Sequence, residues 1–351
     1  MRNINKKILI FISIICMIFC QTNIKETFAT STTQSEIVLE INSKRILHQI
    51  NAFDKKFMAS TTKILTAIVI IENCNLEETI TITKDTIGIE GSSIYLEEGE
   101  KLTVKHLLYG LMLRSGNDCA ETLAKHCSGS IENFTKLMND TARKIGANNS
   151  NFVNPHGLHN DEHYTTAYDL ALISAYSIKN PIFKEIASTK SIKIPQTTRN
   201  YDRLLINKNK MLNQFDGATG IKTGFTKKAG RCLVTSCIRD GMELVCVVLN
   251  CPPMFERSKT LLNNVYENYN LSKIIESDNI IDFIEINGKK TPIHIKNDII
   301  IPLKQDEREQ INIQYDYPKT IREQIKNDTE IGFVKIFLKN NLLFEEKIYT
   351  I

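Results

Sequence analysis

The chain is short of net charge, of paired cysteines and of apolar runs long enough to span a membrane. Its 44 lysines and arginines against 40 aspartates and glutamates leave +4. Four of those basic residues (Arg2, Lys6, Lys7, Lys25) and one acidic residue (Glu26) precede residue 30, so the rest of the chain stands at +1. A balance so near neutrality excludes the basic footprint of a nucleic-acid binder, and no nucleic-acid partner is expected. No two cysteines are spaced C-x-x-C. The seven beyond residue 29 (Cys74, Cys119, Cys127, Cys232, Cys237, Cys246, Cys251) are an odd number, which leaves at least one unpaired. A chain of 351 residues buries enough core to need no stapling, so these cysteines are expected as apolar fillers. H-E-x-x-H, internal repeats and low-complexity tracts are also missing.

What is present begins with an export signal. Arg2, Lys6 and Lys7 precede an apolar run from Ile8 to Cys20, and Thr27-Phe28-Ala29 offers a small-x-small cleavage site. This is the pattern of a signal peptide over residues 1–29. The run falls short of the roughly 20 residues of a spanning helix; uncleaved, it would be an anchor, and export is implied either way. Met17-Ile18-Phe19 ahead of Cys20 lacks the small residues of a lipidation site. A 42% hydrophobic and 24% charged composition is that of a globular protein, and the length predicts one large domain and one small.

From about Glu36 to Asn270 helical and strand-like stretches alternate, whereas from about Ile280 the pattern is nearly all period two. The shift predicts a boundary near residues 271–280, with domains at 30–272 and 273–351. In the tail, Ile284 and Ile286, then Asn287-Gly288, then Ile293 and Ile295 read as a hairpin with a primed turn. Ile311 to Tyr317 alternate as a further strand, and Val334, Ile336 and Leu338 before Asn340-Asn341 suggest a second hairpin. A small β-sandwich would house them. Glu345 to Ile351 still read as strand, so no C-terminal membrane-anchoring helix is expected. In the first domain, the dense apolar residues from Ile64 to Ile71 predict a buried helix over Ser60–Asn73. Others are predicted at Val104–Leu113 and after Gly116 or Asn117, and a hairpin turns at Asp240-Gly241.

Three short motifs carry chemistry. In Ser60-Thr61-Thr62-Lys63, i,i+3 spacing on a helix sets an amine beside a hydroxyl. A desolvated lysine can then act as base toward a serine nucleophile. Ser115-Gly116-Asn117 supplies a second hydroxyl and a side-chain amide at a break between helices. Lys222-Thr223-Gly224, beside a strand edge, offers a cation and hydroxyl for a substrate carboxylate and a glycine for close approach. Each has a bland reading as helix cap, linking turn or loop lysine. Ser277-Asp278-Asn279 also fits S-x-N, but follows the K-T-G segment and reads as solvated linker.

In the order S-x-x-K, S-x-N, K-T-G, spaced 55 and 107 residues apart, the set is that of penicillin-binding proteins and class A β-lactamases. The chain resembles the low-molecular-mass penicillin-binding proteins of the serine D-alanyl-D-alanine carboxypeptidase family. Further segments carry the likeness: Gly91-Ser92-Ser93, Asn154-Pro155-His156-Gly157-Leu158 and Thr166-Ala167-Tyr168-Asp169-Leu170. The resemblance implies an α+β, β-lactamase/transpeptidase-like catalytic domain, its helices packed on a mainly antiparallel sheet, followed by a C-terminal β-sandwich. It implies Ser60 as nucleophile, Lys63 as base and Ser115 as proton relay. Asn117 would hold a substrate amide, Lys222 and Thr223 the carboxylate, and Gly224 would precede Phe225, whose N–H joins that of Ser60 in an oxyanion hole.

The implied partners are a peptidoglycan stem peptide ending in D-Ala-D-Ala, and β-lactams as inhibitors. The implied location is secreted or extracytoplasmic, at the cell wall or the outer face of the cytoplasmic membrane, and no cofactor or metal is expected. Three readings compete. A class A β-lactamase would need a glutamate-activated water, and no E-x-x-L-N lies between the second and third motifs. A zinc peptidase could draw on His156, His159, Asp161, Glu162 and His163, though a polar loop explains that cluster more simply. A non-catalytic peptidoglycan-binding module could keep the fold, but all three motifs are intact.

Overall fold

Met242–Leu249 is apolar at nearly every position, the signature of a strand covered on both faces. In the computed structural model, which describes residues 33–277 and 279–351, that strand is the centre of a five-stranded antiparallel sheet. Its strands are β1 (Ser35–Glu40), β2 (Ile46–Ile50), β3 (Ala218–Thr226), β4 (Gly230–Arg239) and β5 (Met242–Leu249), in the order β2-β1-β5-β4-β3. The expected signal peptide and Cys20 lie outside the described residues.

Alternate residues of one strand serve two cores. Ile37, Leu39, Val245 and Val247 pack against α1 (Lys63–Asn73) and the later helix Ala167–Ile178, through Ile64, Ile68 and Ile173. Val38, Leu244, Cys246 and Val248 face the other way, onto Leu261, Leu262 and Val265 of helix Met254–Asn268. Each such side chain, fully buried, is worth about 1.5–3 kcal/mol. Glu36 fastens the last helix: its buried carboxylate accepts 2.7 and 2.8 Å hydrogen bonds from Arg257 and sits 3.1 Å from His48. Burial alone would raise its pKa, but the hydrogen bonds from His48 and Arg257 outweigh it and hold it at about 2. Cys119, Cys232, Cys237, Cys246 and Cys251 are buried and Cys74 and Cys127 half-buried, all as free thiols.

The expected helix over Ser60–Asn73 has two parts. A 3-10 turn spans Ala59–Thr62, and the α-helix proper begins at Lys63. The hydroxyls of Thr61 and Thr62 donate back to the carbonyls of Met58 and Ala59, at 2.6 and 2.8 Å, and so hold the tighter i→i+3 winding. The stretch predicted helical over Val104–Leu113 is α2 (Val104–Tyr109) followed by a π turn, Gly110–Arg114. After it, α3 runs Asn117–Ser128. The β4–β5 turn has Asp240 and Gly241 both at positive φ, 47° and 79°, as a primed hairpin requires.

Beyond Asn268 the chain is nearly all strand. The hairpin Asp282–Ile286/Lys289–His294 turns at Asn287-Gly288, both at positive φ, and belongs to a six-stranded sheet with Ile311–Asp316, Thr320–Ile321, Glu330–Leu338 and Asn341–Thr350. The second hairpin turns at Lys339–Asn340, one residue earlier than Asn340-Asn341. A two-stranded layer, Asn270–Ile275 paired with Ile299–Leu303, covers an isoleucine-rich core that includes Ile284, Ile293, Ile301, Val334 and Ile348. The strand Asn270–Ile275 runs across the 272/273 position. Arg45, between β1 and β2, reaches this part of the chain. It makes a 2.8 Å ion pair with Glu307, donates to the carbonyl of Pro302 and lies over the ring of Tyr269. Among the described residues no helix is long and apolar enough to cross a membrane.

Candidate active site

The three motifs come from distant parts of the sequence and meet at one cleft of about 370 Å³, lined by Ser60, Ser115, Thr223 and Gly224 among others. Ser60 sits in the 3-10 turn, directly after Ala59, whose φ of 49° is strained for a residue with a side chain. Two devices hold that turn. His163 Nδ1 accepts from the Val153 N–H at 3.1 Å, which leaves Nε2–H to donate to Thr62 Oγ1 at 2.8 Å; that hydroxyl in turn donates to Ala59 O. Burial, with the charge of neighbouring groups, pulls His163 down to about 3, so it is the neutral tautomer this chain needs. The second device is Gly157, at φ +88°, where a Cβ would stand 1.9 Å from Ala59 O. Only glycine lets the Asn154–Leu158 loop close on the turn.

Lys63 opens α1 and is fully buried. Its Nζ lies 3.1 Å from Ser60 Oγ, 2.7 Å from Asn117 Oδ1 and 2.6 Å from the carbonyl of His156. Burial first, and then the nearby Lys222, hold its pKa well below the ordinary lysine value. Asn117 starts α3 and is itself braced: its Nδ2 donates to Glu90 O at 2.5 Å and its N–H to Ser92 O at 2.7 Å. The amide expected to face substrate therefore spends its oxygen on Lys63 and one hydrogen on Glu90. Ser115 caps the π turn in a left-handed conformation, φ 65°, and its Oγ is buried with no hydrogen-bond partner among the described residues.

Along β3, Lys222 is 1% exposed and donates to Thr223 O at 3.1 Å; burial, then Lys208, pull it down to about 7. At Gly224 the strand passes so close to the Ser60 turn that a Cβ would lie 3.0 Å from Met58 O and 3.1 Å from Ser60 N. Phe225 is 60% exposed, with Arg231 of β4 beside its ring. The histidine cluster does not gather. His156 pairs with Glu121 at 3.2 Å, His159 stacks edge-on against Phe57, and His163 is turned to Thr62. Among the described residues no group of three or more histidine, cysteine, aspartate or glutamate side chains could hold a metal ion. The sequence offered His163 only as a zinc ligand, and gave no role to the His156 carbonyl or Glu90. Asn154-Pro155-His156-Gly157 was the available signal, but a carbonyl ligand leaves no trace in residue type.

The D-alanyl-D-alanine carboxypeptidase family matches residues 21–252, and the C-terminal domain of penicillin-binding protein 5 matches residues 269–351. The D-alanyl-D-alanine carboxypeptidase DacF of Bacillus subtilis is 26% identical over 327 residues, covering 90% of this chain and 84% of that protein. The D-alanyl-D-alanine carboxypeptidase of Streptomyces sp. strain K15 is 35% identical over 211 residues, 56% of this chain and 72% of its own. Among solved structures, penicillin binding protein 5 of Haemophilus influenzae superposes with a TM-score of 0.79 at 26% identity, covering 91% of this chain and 96% of its own. Fold and matches together define a serine-type peptidase hydrolase of α+β architecture. The chain belongs to the D-alanyl-D-alanine carboxypeptidase family, within the low-molecular-mass penicillin-binding proteins. The β-lactamase and the non-catalytic module are not favoured.

Proposed function

We infer that the chain is an exported carboxypeptidase that removes the terminal D-alanine from peptidoglycan pentapeptide stems through an acyl-enzyme on Ser60, and that β-lactams acylate the same serine. The observation that carries this is the surroundings of the Lys63 amine. Two of its three neighbours, Asn117 Oδ1 and the His156 carbonyl, can only accept. A neutral amine satisfies both with its two hydrogens and keeps a lone pair for the third neighbour, the Ser60 hydroxyl. Burial favours that neutral form. Lys63 is thereby suited to take the proton of Ser60 as the oxygen attacks the carbonyl between the two D-alanines.

The N–H groups of Ser60 and Phe225 would receive the oxyanion, since Gly224 lets β3 approach the 3-10 turn. Ser115 Oγ, unpartnered and lining the cleft, would pass the proton to the departing D-alanine. Lys222 and Thr223 would hold the terminal carboxylate, and the second Nδ2 hydrogen of Asn117 a substrate carbonyl. Water then hydrolyses the ester. The family assignment supports this order of events, and residues 1–29 would direct the chain out of the cytoplasm. We place the catalytic part before Asn270 and the β-rich part after it, because Asn270–Ile275 pairs with Ile299–Leu303.

The test is intact-mass spectrometry of the mature protein and Ser60→Ala after fluorescent penicillin, with D-alanine release from a diacyl-Lys-D-Ala-D-Ala peptide assayed alongside. An adduct on the wild type alone, with Ser60-dependent release, is expected. Fast penicillin turnover without D-alanine release would mean a β-lactamase instead.

A further inference from the structure

The cleft is rimmed by cations that the reaction above does not use. Lys208, Lys210 and Arg231 line it together with Phe225, Met254 and Phe255, and no aspartate or glutamate contributes to its lining. All three cations are exposed, and among the described residues none forms an ion pair. Lys208 Nζ donates only to Ser92 Oγ, at 3.1 Å, and Arg231 lies over the Phe225 ring with its centroid 5.6 Å away. One carboxylate, the substrate's C-terminus, is already provided for by Lys222 and Thr223. Three further positive charges around one small opening, left without counter-charges, mark a place for a second anion.

The order of groups on β3 says where that anion sits. The carboxylate receivers, Lys222 and Thr223, precede the oxyanion donor, Phe225. In the substrate the scissile carbonyl lies one residue N-terminal to the carboxylate. An extended peptide therefore runs antiparallel to β3, with its N-terminal side heading toward Thr226. The residue before the D-alanine pair, two residues from the carboxylate, is thus about 7 Å beyond Thr223, at a strand rise of about 3.3 Å per residue. There the partner strand presents Arg231, which is paired in register with Phe225.

We propose that Arg231, with Lys208 and Lys210 of the same rim, forms a carboxylate subsite that selects stems whose third residue carries a side-chain carboxylate, and disfavours those carrying only an ammonium. This rests on the carboxypeptidase reading. A planar guanidinium held over an aromatic ring suits a carboxylate in two-point contact. A lysine side chain would instead bring a fourth cation into the rim.

Three acetylated tripeptides X-D-Ala-D-Ala test it, with X as 2-aminopimelate, its side-chain amide, or lysine. Wild-type kcat/KM should fall in that order, about tenfold from carboxylate to amide, chiefly through KM, and the gap should shrink in 0.5 M salt. In Arg231→Gln the carboxylate-to-amide ratio should drop toward one, and Lys210→Gln should reduce it partly. Penicillin adduct formation on the same samples reports that the site is assembled. Equal cleavage of all three, or a ratio that survives Arg231→Gln, overturns the subsite and leaves the peptidase reading standing. Cleavage of none, with no adduct on Ser60, overturns both.

Discussion

At the scale of single residues, two buried lysines of the site, Lys63 and Lys222, set the expected pH response. Lys63 must be without its proton to accept that of Ser60, and its pKa is held far below the usual value by burial and by Lys222. Acylation should thus continue below the usual lysine range and fail as pH falls through that lowered value. Lys222 works in the opposite sense: it must be charged to attract a carboxylate, and it loses its proton near pH 7. KM for a free-carboxylate peptide should rise above that pH, while a C-terminally amidated peptide shows no such limb, so a pH series with both substrates separates the two groups. Lys63→Ala should slow penicillin acylation by roughly 10²–10⁴, the usual worth of a positioned base. A loss under tenfold, in a stopped-flow acylation assay, would deny Lys63 that role.

At the scale of elements, the turn that carries Ser60 depends on a loop nearly a hundred residues away. The Asn154–Leu158 loop supplies the His156 carbonyl to Lys63 and packs Gly157 under Ala59. Gly157→Ala should push the loop back and cut the acylation rate by roughly 10², because a displacement of about 1 Å at a catalytic group costs that much. The check is the acylation rate constant set beside the melting temperature: if both stay at wild-type values, the loop is not a support. The π turn Gly110–Arg114 has a parallel role, since it ends with Ser115 in a left-handed conformation that aims its hydroxyl at the cleft.

At the scale of the whole molecule, the catalytic and β-rich parts are fastened through Arg45. Its ion pair with Glu307, its bond to Pro302 and its stacking on Tyr269 converge on one guanidinium that is 8% exposed. Arg45→Ala should loosen this junction by roughly 3 kcal/mol, the lower end for breaking a buried pair. The β-rich part should then melt earlier in calorimetry and be cut sooner by protease around residues 268–270, while acylation by penicillin stays as in wild type. A single unshifted transition would show that the contact does not hold the junction.

Across these scales the sequence by itself determined the strands, the helices and the three motifs. Period-two and dense apolar patterns are local properties, and Asp240-Gly241 and Asn287-Gly288 each demand a turn wherever they occur. It also marked Ser60, Lys63, Ser115 and Lys222 as chemistry-bearing, because spacing in one short motif is enough to set an amine beside a hydroxyl. The tertiary structure alone decided that Ser60 stands in a 3-10 turn, that the amide of Asn117 braces Lys63, that His163 supports Thr62, and that Arg231 reaches the rim. Each of those depends on residues brought together from across the chain. Backbone carbonyls such as those of His156 and Glu90 act without regard to side chain, and burial is what lowers the pKa of Lys63; neither is written in the identity of the residue.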